Sequence, residues 1–309
     1  MISYVVAFLT AVANAYSNVL NRKATREEPA GVEFRPRLIL DLLRRRVWLA
    51  AVALMLVSFV LGAAALGTGQ LAAVQIIIIL ELPITLLGAA KFLGSRLGVR
   101  EWASIAGMTG GVIGLLACLD PRSGSATAVP AADWIVGTAA TAGPAVLFAL
   151  IGSRIRSPAG RAALLGLATG LGYGLAAAYT KGMTRQFTTG GIVAVLAGWQ
   201  IYAAAAAGIG ATWLLQNAYH AGRLAAAQPG ITFLDPAAAT AWGIWVFGEQ
   251  VRGGTVLMLA AIPAVVLIAS VLMLGRSPVL RASSGADESA DGRAQGGEPA
   301  GGRAQPATR

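Results

Sequence analysis

The sequence predicts an all-α polytopic membrane protein, with about nine transmembrane helices in two inverted four-helix repeats joined by a linker helix. Three observations lead there. The chain of 309 residues is 56% hydrophobic and only 12% charged, a composition typical of bilayer-spanning chains rather than of a soluble two-domain protein. Its net charge of +10 is gathered into alternate loops. The stretch "LAAVQIIIILELP" (71–83) also returns as "LAAAQPGITFLDP" (224–236), identical at six of thirteen positions.

A spanning helix needs about 20 mostly apolar residues, and nine such runs lie near 2–21, 47–67, 71–93, 102–119, 132–152, 162–181, 191–216, 225–247 and 254–275. The first run has no basic segment ahead of it and passes directly into "NRKATR", so it reads as a retained span rather than a cleaved signal. The loop at 22–46 carries "RLILDLL" between arginines, the pattern of a topology anchor or a short interfacial helix. Little more than "GTGQ" separates the second and third runs. Glycines at 107–114 lie inside the fourth run and read as packing positions, as does "AAAAAGIGA" in the seventh. From Arg276 onward Gly, Ala, Ser, Pro and charge dominate, which predicts a disordered cytoplasmic tail over 277–309.

Orientation follows from the basic residues. With the N-terminus outside, the inner side receives eight Lys and Arg in 22–46, three in 91–100, three in 153–161, Arg223 and five in the tail, 20 in all; the outer side keeps Arg122, Lys181, Arg185 and Arg252. Positive residues collect in cytoplasmic loops. The 20:4 division predicts a multi-pass protein of the cell membrane, N-terminus outside and C-terminus cytoplasmic.

The repeat extends beyond the opening motif. "TAVANAYSNVLNRKATR" (10–26) and "TGLGYGLAAAYTKGMTR" (169–185) share Thr, Thr and Arg in register, and Arg22 matches Lys181. Spans one to four (1–119) therefore correspond to spans six to nine (162–275), with 120–161 as linker and 276–309 as tail. Five spans separate each pair, so equivalent helices cross in opposite directions, a plan that places substrate sites near the midplane between the halves.

The stretch "FLDPAAATAWGIWVFGEQVRGGTVLMLAAIPAVVLIASVL" resembles the closing helices of the drug/metabolite transporter superfamily, with a proline-containing helix ending in a Gly-Glu pair before a glycine-rich final span. "LAAVQIIIILELPITLLGAAKFLGSRLGVREWASIAGMTGGVIGLL" is similar to the matching part of its first half. The nine-helix layout, with "WLLQNAYHAGRLAAAQP", resembles the branch of magnesium-transporter-like membrane proteins. The resemblance implies movement of a small solute by alternating access, ion-coupled or facilitated. There are departures. The first span offers Asn14, Tyr16, Ser17 and Asn18 but no acid in place of the embedded glutamate of the small multidrug resistance branch, and Gly94–Ser95 stands where the second half has Gly248–Glu249.

Glu81 falls near the middle of its span, where an ionised acid costs roughly 2.5–3.5 kcal/mol and the isoleucines before it offset about 2 kcal/mol. Such an acid marks a proton or cation site, or else bridges two helices. Asp235 precedes a proline, which suits a helix cap at a broken half-helix. Gln228 lies seven residues earlier on nearly the same face. In the repeat Glu81 matches Leu234, so the two acids sit about 100° apart around equivalent helices and imply no symmetric pair. Asn14, Tyr16, Gln75, Tyr173, Trp199 and Gln200 are the further polar candidates for a substrate or ion site. Lys181 and Glu249, near the outer span ends, read as gate or interface residues that snorkel.

No Walker A loop, paired histidines or cysteine–histidine cluster is present, so the sequence implies neither an enzyme nor a cofactor. Cys118 and His220 are the only residues of their kinds. The expected partners are the lipid bilayer and a small-molecule or ion substrate, not nucleic acid, with room for a homodimer. Two rivals remain at this point. One is a magnesium or divalent-cation transporter, for which two acids are sparse; the other is a non-transporting membrane scaffold.

Overall fold

The computed structural model describes residues 2–26, 46–93, 97–122, 124, 129–221 and 224–275. The expected interfacial helix, Gly94–Ser95 and the tail lie outside the described residues. Among those described, nearly everything is helical: α1 (Ile2–Arg26), α2 (Arg46–Thr68), α3 (Leu71–Ile78), α4 (Glu81–Leu93), α5 (Val99–Leu119), α6 (Ala131–Arg154), α7 (Pro158–Ala197), α8 (Trp199–Ala221), α9 (Leu224–Trp245), α10 (Thr255–Leu259) and α11 (Ala261–Gly275).

Among the described residues, six helical stretches are long and apolar enough to cross a membrane, namely Ile2–Leu20, Leu49–Thr68, Leu71–Lys91, Val99–Leu119, Ala131–Arg154 and Pro158–Ala197, and Ala261–Leu274 is a shorter apolar helix. Helices α8 and α9 occupy the expected seventh and eighth runs, but Gln200, Gln216, Gln228 and Asp235 make them more polar. Large apolar side chains such as Val60, Ile135, Val193 and Ile209 face outward, while Gln75, Thr169 and Glu249 are buried. That inverts the distribution of a water-soluble domain, and it suits a multi-pass protein whose outer surface meets lipid.

Helix α1 packs on α2, α3 and α4; α7 packs on α8 and α9; α5 packs on α11; and α3 meets α9 at the centre. Glycines make the α7–α9 contact possible. Gly166, Gly170 and Gly174 recur every fourth residue, hence along one face. A Cβ on Gly166 would run into the Ala227 carbonyl, one on Gly170 would stand 2.7 Å from the Gly230 oxygen, and one on Gly174 would stand 2.7 Å from the Ala238 Cβ. Backbones therefore approach directly, as small-residue helix pairs do in membranes. In α5, Gly107, Gly111 and Gly114 meet Ser270, Leu267 and Pro263 of α11 in the same manner, so these glycines serve packing, as expected.

Two details differ from expectation. The broken helix is not at Asp235, because α9 runs through Pro229 and Pro236 without interruption. The break comes at Ile79–Leu80, directly before Glu81. Pro83 has no N–H to offer Ile79, and the chain tightens there into i to i−3 bonds, Leu80 N to Ile77 O at 3.0 Å and Leu82 N to Ile79 O at 3.1 Å. The second difference is a register one. Helix continues past 181, and the reversal falls at Gly191 (φ 65°, ψ −161°) and Gly198, so the next long helix starts at Trp199 rather than 191. Only glycine tolerates that Gly191 conformation without strain.

Candidate functional site

Asn14 and Asn18 are four residues apart on α1 and so share a face. Each donates its Nδ2 to a different oxygen of Glu81, Asn14 to Oε2 at 2.6 Å and Asn18 to Oε1 at 2.7 Å. Glu81 opens α4, where the helix dipole favours a negative group. The first span has no acid of its own, and α4 brings one to it.

The other half of the molecule contributes Asp235 from α9. Gln75 of α3, buried, donates Nε2 to Asp235 Oδ1 at 3.3 Å. The Asp235 and Glu81 carboxylates lie close enough to interact electrostatically, and both act on the Tyr173 phenol. Tyr173 also shares a 3.3 Å hydrogen bond with Thr212 of α8. Both acids are half-buried, and among the described residues the groups acting on them are amides or each other, with no cationic side chain among them. Thr85, one turn along α4 from Glu81, has a buried hydroxyl with no hydrogen-bond partner among the described residues. The arrangement has two carboxylates, amide donors and an uncommitted hydroxyl at a helix break. Chemically it can take up protons or a cation, because unpaired negative charge in a low-dielectric site is costly.

The sequence-derived candidates divide in two. Glu81, Asn14, Gln75, Asp235 and Tyr173 come together here. Gln228 is half-buried two turns before Asp235 on α9, and Tyr16 is 37% exposed, half a turn away from the Asn14 face. Trp199 and Gln200 belong to another cluster. Trp199 stands edge-on to Trp134 and Tyr179 at 5.1 and 5.6 Å, and Gln200 Oε1 accepts from Gln186 Nε2 at 2.6 Å. Sequence reasoning named Asn18 without assigning it a role, although its i, i+4 spacing from Asn14 was the available signal.

Lys181 and Glu249 do not snorkel. Their side chains are 12% and 1% exposed and form an ion pair. Glu249 also accepts from the free backbone N–H groups of Leu71 at 2.6 Å and Ala72 at 3.2 Å, so it caps the N-terminus of α3 from a distant segment. Lys181 donates to Gly69 O at 3.0 Å and lies 5.2 Å from the centre of the Phe247 ring. Burial is tolerated because each charge has the other and several further partners. Around them Trp134 packs against Tyr179, Trp242 and Phe247 at 5.9, 5.5 and 5.7 Å. Trp242 Nε1 donates to Thr141 at 2.8 Å. Nearby, Asp120 pairs with Arg122 at 3.0 Å and Arg252 at 3.1 Å, and the Arg122 and Gln250 backbones exchange hydrogen bonds. The loops after α5 and α9 are thereby tied together.

No family model matches the chain, and no solved structure matches it. The chain is similar to an uncharacterized protein of Corynebacterium glutamicum, 27% identical over 291 residues that cover 92% of this chain and 98% of that one.

Proposed function

We propose that this membrane protein is a transporter that moves a small solute by alternating access. In this reading Glu81 and Asp235 form the proton- or cation-binding site, and Lys181–Glu249 with its aromatic surround is the closed outer gate. The observation that carries the reading is an acid at a helix break, Glu81, held by Asn14 and Asn18, with Asp235 of the second half held by Gln75 of the same broken span and no cationic side chain among the described groups that act on either acid. Broken helices at membrane depth occur where they line a binding cavity.

The arrangement of contacts supports two inverted repeats. The first span packs on the second and third, the sixth packs on the seventh and eighth, and the third and fourth meet the eighth and ninth. The fifth is then the linker. The orientation is N-terminus outside, which puts the Lys181 end outward and the Asn18 side of the acid site inward. No enzymatic step is assigned, and a divalent-cation route ranks second. Among the described residues no three or more His, Cys, Asp and Glu come together as a metal site, whereas Ca²⁺-like coordination needs six or more oxygens and Mg²⁺ keeps much of its water.

The test is flux in reconstituted vesicles with imposed proton and metal-ion gradients, using cationic, zwitterionic and anionic solutes in parallel. The proposal expects gradient-dependent movement that Glu81→Gln abolishes. A scaffold would show none in the parent.

A further inference from the structure

Helices α6 and α8 flank α7 and leave a cleft of about 500 Å³ between them. One face of α6 lines it from Ala142 to Ser153 and one face of α8 from Ala207 to Asn217, over a floor of Leu165, Gly172 and Leu175. It opens sideways, since Val146, Leu150 and Trp213 on its walls are more than half exposed.

Its dimensions and charge are specific. From position 142 to 153 is eleven residues of helix, about 16 Å, close to half of the ~30 Å hydrocarbon core. The cleft is therefore one leaflet deep. Its deep end is wholly apolar, and its three polar lining residues, Ser153, Arg161 and Asn217, all sit at the mouth, at the end of α6, the start of α7 and the end of α8. Arg154 and Arg156 are exposed beside that mouth. No Asp or Glu occurs anywhere from residue 134 to 234, so these three helices bring no acid to the mouth beyond Asp133, which lies at the far end of α6.

We infer that the cleft holds one acyl chain of an anionic phospholipid, with the headgroup phosphate at Arg161. A neutral occupant leaves the cationic rim unused, and a soluble anion leaves the apolar slot empty. An anionic lipid satisfies both, as basic pockets between membrane helices do. This site is separate from Glu81 and Asp235 and does not depend on the transport reading.

The experiment uses the full chain in detergent, titrated with dioleoyl phosphatidylglycerol or with phosphatidylcholine of the same chains. Native mass spectrometry and thermal melting are the readouts. The parent should retain one phosphatidylglycerol per chain in preference to phosphatidylcholine, with a higher melting temperature, and inorganic phosphate should have no such effect. Arg161→Gln, at an exposed position, should lower the preference by about fivefold, the size of one interfacial cation–anionic lipid contact. Gly210→Phe should fill the cleft and remove the adduct. An added Cβ there meets no atom within 4 Å, so the fold should survive. Equal retention of both lipids by the parent, or an undiminished phosphatidylglycerol adduct in Arg161→Gln, would overturn the inference. So would a dimer formed through this face in place of a lipid adduct.

Discussion

Asn14 and Asn18 each give Glu81 one hydrogen bond, on different oxygens, so the carboxylate is held in place from one side of α1. Hydrogen bonds to charged groups contribute about 1.5–3 kcal/mol each. Asn14→Leu and Asn18→Leu should each lower the melting temperature, and the loss should shrink when Glu81→Gln is already present. A double-mutant cycle in thermal denaturation measures that coupling, and independent effects would mean the amides do not hold Glu81. Lys181 and Glu249 pose the complementary case. Removing one member of a buried pair strands the other, at a cost of about 3–5 kcal/mol, whereas replacing both with apolar groups is often close to neutral. Lys181→Met should therefore melt lower than Lys181→Met with Glu249→Leu. The comparison is tempered by the two α3 N–H groups that Glu249 also satisfies, so the double variant should still fall below the parent.

At the scale of elements, the α7–α9 contact depends on having no side chain at Gly166, whereas Gly143 of α6 faces open space. Gly166→Leu should prevent a folded, monodisperse protein from being recovered. Gly143→Ala should leave melting unchanged or slightly raised, because alanine is the better helix former by up to about 1 kcal/mol. Size-exclusion profiles and melting curves distinguish them. Most of the helical runs were legible because apolar length marks them, but the boundary between the sixth and seventh was not, since helix continues through 181 to Ala197. Nor was the position of the break. Pro83 and Pro236 stand at matching places in the repeat, and the capping side chain of Asp235 favoured a break in the second half, yet α9 stays continuous while α3 and α4 separate. The repeat in the sequence pointed to Glu81 and Asp235 as features of one depth. Their association with Asn14, Asn18 and Gln75 needed the tertiary arrangement, since those contacts join residues 63 to 160 positions apart. Lys181 and Glu249 are buried where their place near the span ends suggests snorkelling, for a related reason. Their burial follows from α3 presenting unpaired N–H groups to the pair, which no local pattern reveals.

For the whole molecule, the proposed orientation rests on the 20:4 division of the Lys and Arg residues. Topology reporters placed after Arg156 should register cytoplasmic and one after Pro130 outside, and the opposite pattern would invert the proposed gate. The claim on which the rest depends is that Glu81 and Asp235 load and unload a proton or cation during transport. The most direct measurement is charge displacement in proteoliposomes on a solid support after a rapid pH or cation-concentration jump. Parent and Glu81→Gln would be compared at matched incorporation and melting temperature. Removing a midplane charge lowers insertion cost, so the variant should fold. The account predicts a transient current in the parent that Glu81→Gln abolishes and Asp235→Asn reduces. A parent-sized current in Glu81→Gln would contradict it and leave Glu81 as an interhelical hydrogen-bond acceptor.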